Sequence, residues 1–178
     1  MAKKKVKAKK AKPRKKAKAS PIPKGYHTVT AHLVLDECAK AIEFYAKAFG
    51  AKERVRMAAG DKIAHAEIQV GDSRIMLNDE MPPMPGQPGN YKSPRAAGLA
   101  TAALFLYVKN VDAVFDRAVK AGCTVRQPLT DMFWGDRFGH VIDPFGHGWG
   151  IATHTEDVPP KEMRKRHAAF LAKMQGGG

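Results

Sequence analysis

Histidine and carboxylate side chains are the residues of this chain that could move protons or bind a metal. His65 and Glu67 alternate along one predicted strand, so their side chains share a face and could form an acid/base pair. His32, His140 and His154 also lie on predicted strands and could join His65 in an unorthodox metal site. No HxH or HExxH spacing is present, so a hydrogen-bonded or surface role is the alternative for each histidine. Catalytic residues therefore stay open, with Glu67 and His65 as candidates.

The segment FWGDRFG, which begins at Phe133, combines a stacking surface with charged groups. Trp134 offers a broad aromatic face, and Asp136 and Arg137 follow it closely in the chain. This combination indicates a site for an organic ligand, in which Arg137 holds an anionic group. The alternative is an internal ion pair of Arg137 with Asp136 or Glu67 that fixes the strand.

A basic run at the N-terminus could bind a polyanion. Residues 1–24 carry a charge of +12 with no acidic residue, whereas the whole 178-residue chain carries +14. They contain almost no apolar surface, which predicts a disordered tail. Such a tail could neutralise nucleic-acid phosphates, and its alternative is a solubilising extension. The basic residues assigned to phosphate binding are Lys3, Lys4, Lys5, Arg14, Lys15 and Lys16.

Composition excludes two classes of protein. No apolar run approaches the roughly 18 residues of a membrane-spanning helix, so an integral membrane protein is excluded. Cys38 and Cys123 are the two cysteines and read as free thiols, which excludes a disulfide scaffold. The sequence therefore predicts a cytoplasmic protein, associated with the nucleoid if the tail binds DNA.

The elements that must position these residues repeat once along the chain. Gly50 and Gly122 each close a predicted helix and lie 72 residues apart, as do Val70 and Ile142 on the third strands. The repeat predicts an α+β fold of two βαβββ modules. The predicted elements are strand 28–35, helix 37–49, strands 51–58, 62–70 and 73–79, strand 101–108, helix 111–121, and strands 123–129, 133–142 and 148–154.

The predicted domain covers residues 25–157, between the basic tail and a C-terminal helix. Within it lie a first module (26–79), a linker (80–99) and a second module (100–157). The linker holds five prolines, which predicts irregular structure. Residues 158–178 are predicted to form a helix with a frayed end.

Four segments carry a resemblance to a known family: AIEFYAKAFGA, HAEIQVGDSRIMLND, NVDAVFDRAVKAGC and FWGDRFGHVIDPFGHGWGIATHTED. Over about residues 26–157 the chain resembles the vicinal oxygen chelate superfamily, which includes glyoxalase I, bleomycin-resistance proteins and extradiol dioxygenases. The resemblance implies an incomplete eight-stranded barrel around a ligand cleft, and a homodimer. In active relatives, two side chains from each module hold a divalent metal.

The metal positions of those relatives align with Thr30, Met76, Ala103 and Gly150. None of these residues is a good ligand for a divalent ion, so no metal and no cofactor are expected. Glyoxalase, dioxygenase and metal-assisted fosfomycin-opening activities all need such an ion, and none of them is expected here.

Strand alternation assigns His32, Met76, Phe105 and Tyr107 to the cleft, beside Trp134, Asp136 and Arg137. Small residues such as Ala103 and Gly150 leave room there, which suits a planar organic molecule. The alternative for the aromatic residues is that they only fill the barrel.

Three functions remain open at this point. The first is metal-free binding or sequestration of a small aromatic molecule. The second is an enzyme of the same family, a lyase, isomerase or oxygenase-like protein, that uses non-standard metal ligands or acid/base residues. The third is a DNA-associated protein that acts through its basic tail.

Overall fold

The computed structural model describes residues 19–83, 86 and 91–175, which form two modules of the same design. The first module contains β1 (Ala31–Leu35), α1 (Cys38–Phe49), β2 (Lys52–Ala59), β3 (Lys62–Val70) and β4 (Ser73–Asp79). After α2 (Pro94–Ala97), the second module contains β5 (Ala103–Tyr107), α3 (Val111–Ala121), β6 (Thr124–Asp131), β7 (Asp136–Ile142) and β8 (Gly148–His154). Helix α4 (Pro160–Gln175) follows.

Each module forms a four-stranded mixed sheet. The strand orders are β1-β4-β3-β2 and β5-β8-β7-β6, and the first strand of each module pairs in parallel with the last. The other pairs within each sheet are antiparallel. The duplicated βαβββ fold is therefore confirmed, as two sheets that do not close into a barrel.

The linker departs from the prediction by containing the one-turn helix α2. The Ser93 hydroxyl accepts a hydrogen bond from the backbone N–H of Ala96, and Pro94 occupies the first helical position. Proline fits there because its missing N–H would have no partner in the first turn anyway. A capping serine thus creates a short helix in a segment that its prolines made look irregular.

Helices α1 and α3 cover one face of the sheets, and apolar strand residues on that face are buried. In each sheet the same alternation applies: Leu33 and Leu77 of the first sheet and Trp149 and Ile151 of the second are buried in one core. Asp79 fixes the start of α1, because its carboxylate accepts the backbone N–H groups of Cys38 and Ile63, both at 2.7 Å.

The two modules share one aromatic core. The rings of Phe49 and Trp149 lie 4.4 Å apart between centroids, and the Tyr45 hydroxyl donates to the Asp143 carboxylate at 2.8 Å. Burial and the neighbouring carboxylate of Asp143 raise the pKa of Tyr45 well above its ordinary value. These contacts hold α1 of the first module against β8 of the second.

Both cysteines are buried as free thiols. Burial raises the pKa of Cys38 and of Cys123 to about 12, so neither is a thiolate nucleophile at neutral pH. No helix among the described residues has the length and apolar character needed to cross a membrane.

Candidate functional site

The second sheet exposes an aromatic surface on the side that α3 leaves uncovered, here called the cleft face. Phe105 on β5 pairs in register with Gly150 on β8, and Phe138 lies on β7 beyond it. The rings of Phe105 and Phe138 stack with a centroid separation of 5.2 Å and an angle of 5°. We call these two stacked rings the aromatic platform.

Gly150 leaves room for the two rings of the aromatic platform against β8. A Cβ at this position would stand 2.8 Å from Cδ2 of Phe105 and 2.9 Å from Cε2 of Phe138, closer than side chains approach. The φ angle of Gly150 is not positive, so the ring contacts rather than the backbone conformation require glycine here. The position that aligns with a metal ligand of the relatives is thus covered by two aromatic rings.

Three donors meet a buried carboxylate at one end of the platform. Asp136, 2% exposed, accepts hydrogen bonds from the Tyr107 hydroxyl and from Nε1 of Trp134, both at 2.9 Å, and contacts Nδ1 of His154 at 2.7 Å. Burial would raise the pKa of Asp136, but the hydrogen bonds from His154, Tyr107 and Trp134 outweigh it and lower the pKa. Asp136 is therefore an ionised carboxylate that orients the side chains of Tyr107 and Trp134.

At the opposite end of the platform lies a cavity, which we call the basic cavity. It has a volume of about 560 Å³, and Ala103, Arg126, His140 and Gly148 are among its lining residues. Gly148 packs closely against His140 and Ala103, because a Cβ there would lie 2.9 Å from Nε2 of His140 and 3.2 Å from Cβ of Ala103. The cleft face thus has the Asp136 carboxylate at one end, the aromatic platform in the middle and the basic cavity at the other end.

Trp134 also extends the aromatic row towards α4. Its indole lies 5.9 Å from the ring of Phe138 and 5.0 Å from that of Phe133, measured between centroids. Phe133 in turn stacks on His167 and contacts Phe170 of α4. The C-terminal helix is therefore anchored beside the cleft face.

Arg137 lies on the other side of the sheet, where it cannot clamp a ligand on the cleft face. Its guanidinium pairs with Asp112, at the start of α3, at 2.6 Å, and with Asp131, at the end of β6, at 3.3 Å. Neither Asp136 nor Glu67 is its partner. Alternation along β7 turns Arg137 towards α3, opposite to Asp136, so its charge is directed away from the cleft face.

The candidate acid/base pair of the first module belongs to a larger ion-pair network. Glu67 lies 3.3 Å from Nε2 of His65 and accepts a hydrogen bond from Arg74 at 3.1 Å. A hydrogen bond from Tyr26, followed by the contact with His65, lowers the pKa of Glu67 despite its partial burial. Glu67 is therefore an ionised carboxylate with several partners.

His32 and Met76 also lie in the first module, away from the aromatic platform. His32 is hydrogen-bonded to the side chain of Asn78. Met76 and Thr30 line a shallow cavity together with residues 21–28, which lie across this part of the first module. The structure thus brings Phe105, Tyr107, Trp134 and Asp136 together but leaves His32 and Met76 with other neighbours.

The positions aligned with a family metal site do not form one here. Thr30 and Met76 line one cavity, whereas Ala103 lines another and Gly150 lies under the platform. Among residues 19–83, 86 and 91–175, no three His, Cys, Asp or Glu side chains are grouped so that they could hold a metal ion.

Sequence reasoning missed Phe138 and Arg126 as cleft residues. Phe138 lies two residues after Asp136, so strand alternation could have found it. Arg126 lies at an irregularity between Val125 and Gln127 in the pairing of β6 with β7, where alternation gives no guide. The tail residues assigned to nucleic acid, Lys3 to Lys16, lie outside the described residues.

The similarity to known proteins covers both modules. The family model described as Glyoxalase/Bleomycin resistance protein/Dioxygenase superfamily matches residues 26–151. An uncharacterized protein of Mycobacterium tuberculosis is 42% identical over 134 residues, which cover 75% of this chain and 78% of that protein. A similar protein of Mycobacterium bovis is also 42% identical, and the match covers 87% of its length.

Solved structures show the same architecture. TioX from Micromonospora is 28% identical, with a TM-score of 0.56 over 70% of this chain and 96% of that one. A gene product of Arabidopsis thaliana is 25% identical, with a TM-score of 0.55 over 71% of this chain and 98% of that one.

Proposed function

The chain belongs to the Glyoxalase/Bleomycin resistance protein/Dioxygenase superfamily, and on that premise we propose that its second module binds a planar aromatic molecule without a metal. The observation that carries the proposal is the aromatic platform. Phe105 is 51% exposed although it stacks on Phe138, and the neighbouring Tyr107 is 61% exposed. Large aromatic faces left open on a sheet favour stacking of another flat ring.

The polar atoms around the platform support binding rather than reaction. Asp136 is occupied by Tyr107, Trp134 and His154, so the hydroxyl and the indole N–H are already used within the protein. The ring of Tyr107 nevertheless remains largely exposed and available for contact. Glu67 and His65, the candidates for acid/base chemistry, lie in the first module with Arg74 and Tyr26 as neighbours.

The position of Gly150 supports the metal-free form of the proposal. The resemblance implies that the aligned position supplies a ligand in metal-binding relatives, and here a side chain would collide with the platform rings. In this proposal the ligand is held by stacking on the platform rings rather than by coordination to a metal ion. This arrangement suits sequestration of an intact molecule.

Binding of 2-naphthamide, a neutral planar probe, tests the proposal by titration calorimetry. We expect Phe105→Ala to weaken binding about tenfold, since an aromatic contact contributes roughly 1 kcal/mol beyond its area. Tyr91→Ala removes an exposed ring of the linker and serves as the matched control, with unchanged affinity. A chelator should also leave the affinity unchanged.

Two results would contradict the proposal. Equal affinities of the wild type and Phe105→Ala would show that the platform does not carry binding. Loss of binding on addition of a chelator, with recovery on adding back a divalent ion, would show that a metal takes part.

A further inference from the structure

The basic cavity adjoins the aromatic platform on the same face of the sheet. Ala103, which lines the cavity, and Phe105 are two residues apart on β5, so their Cα atoms lie about 7 Å apart on the same face. Gly148 makes space for the neighbouring imidazole, because a Cβ there would lie 2.9 Å from Nε2 of His140. A ligand stacked on the platform can therefore extend into this cavity.

Two nitrogen groups in the cavity have no partner among the described residues. Nε2 of His140 is buried and makes no hydrogen bond there. Arg126 forms no ion pair within the same part of the chain, unlike Arg137, which has two carboxylate partners. Arg126 is exposed, whereas the buried Nε2 of His140 lacks a partner, which is costly, so a ligand that supplies a partner to His140 gains affinity.

The chemistry of this end of the cleft face favours an anion. No carboxylate lines the cavity within the described residues, and Arg126 supplies a positive charge. Burial, with a contribution from Arg126, lowers the pKa of His140, so its imidazole is neutral at pH 7 and can donate one N–H. A guanidinium and an imidazole N–H together match the two oxygens of a carboxylate.

We propose that the ligand is a planar aromatic acid, whose rings stack on Phe105 while its anionic group is bound by Arg126 and His140. This inference rests on the proposed function, because it assigns the chemical class of the molecule that the platform holds. It also moves anion recognition from Arg137, which faces α3, to Arg126. The anion and the ring are recognised by different residues, so their contributions can be separated.

The test compares 2-naphthoate with 2-naphthamide, which have the same rings and differ in charge. At low ionic strength we expect the wild type to bind 2-naphthoate about tenfold more tightly. Arg126→Gln should remove this preference and leave the affinity for 2-naphthamide unchanged. His140→Phe, which keeps a ring but removes the donor, should lower the preference as well.

A matched control separates the site from the general positive charge of the protein. Arg164→Gln removes one exposed arginine of α4 and should keep the full preference for 2-naphthoate. If the preference survives in Arg126→Gln, or falls equally in Arg164→Gln, the basic cavity is not the anion site. The aromatic proposal then stands, provided that Phe105→Ala still weakens both probes.

Failure of the two proposals can be distinguished directly. Equal affinities of the wild type for 2-naphthoate and 2-naphthamide overturn the anion site alone. Absence of measurable binding for both probes overturns the aromatic capture and the anion site together. Thermal melting of each variant confirms that the loss of affinity belongs to a folded protein.

Discussion

The buried carboxylate of Asp136 explains why several hydrogen-bonding side chains lie together at one end of the cleft face. A lone carboxylate at 2% exposure would be costly, but three donors satisfy it. Tyr107, Trp134 and His154 are thereby fixed in position. The Asp136 carboxylate thus orients aromatic side chains whose exposed faces can contact a ligand.

His154 should make the stability of the protein depend on pH. The hydrogen bond to Asp136, and a second to Asp157, raise the pKa of His154. A raised pKa in the folded state means that the stabilisation is complete below the ordinary histidine pKa and is lost as the pH rises through the raised value. We expect His154→Gln to lower the free energy of unfolding more at about pH 5.5 than at about pH 9. Urea denaturation at both pH values measures the difference.

The partner of His154 provides the control for this prediction. In an Asp136→Asn background the imidazolium has lost its nearest carboxylate, so most of the pH dependence of the His154→Gln effect should disappear. A difference between wild type and His154→Gln that is the same at both pH values would show that the contact with Asp136 does not favour the protonated ring.

Strand alternation accounts for how the side chains of β5 are divided between the two faces of its sheet. Leu104 and Leu106 face the core, while Phe105 and Tyr107 face outward, as the two-residue period requires. The same rule places Arg137 towards α3, yet the charged cluster in its sequence suggested a ligand clamp. Asp136 and Arg137 are neighbours in sequence, but adjacent residues of a strand point to opposite faces of the sheet.

Other features of the site could not be predicted because they depend on contacts between strands. The stacking of Phe105 on Phe138 crosses β8, and only the register of three strands brings the rings together. Arg126 reaches the basic cavity from an irregular part of β6. The repeat itself was visible in the sequence, since it depends on local period and on glycines that end helices.

Gly150→Ala should disturb the aromatic platform from beneath. The added methyl group would meet both rings, so we expect a loss of about 1–3 kcal/mol in the free energy of unfolding. In a Phe105→Ala background the same change should cost less, because one of the two rings is absent. Chemical denaturation of the four proteins in this double-mutant cycle measures the coupling. Strictly additive effects would mean that the methyl group does not contact Phe105.

At the scale of the whole molecule, we expect the chain to form a homodimer. Large apolar side chains outside the aromatic platform also remain exposed, including Val29, Met57 and Val125. Such groups favour contact with another surface. Light scattering at micromolar concentration should give twice the mass of one chain. A monomer under these conditions contradicts the prediction.

The N-terminal tail should determine binding to polyanions without contributing to folding of the modules. Residues 1–18 hold +11 of the net charge of +14, and they precede the family match, which begins at residue 26. Deleting them keeps residues 21–28, which lie on the first module, and should leave the melting temperature nearly unchanged. The same deletion should strongly reduce the salt concentration needed for elution from heparin, because fewer counterions are released on binding.

A charge-neutral replacement of the tail makes this last prediction specific. Changing the basic residues at positions 3–16 to glutamine keeps the length of the chain but removes its charge, so heparin retention should fall as it does in the deletion. Retention that survives in both variants would place polyanion binding on the folded body, where Arg164 and Lys165 of α4 are exposed. A marked fall in melting temperature in the deletion would instead show that residues 1–18 pack against the modules, because charge alone in a solvated tail changes the folded state little.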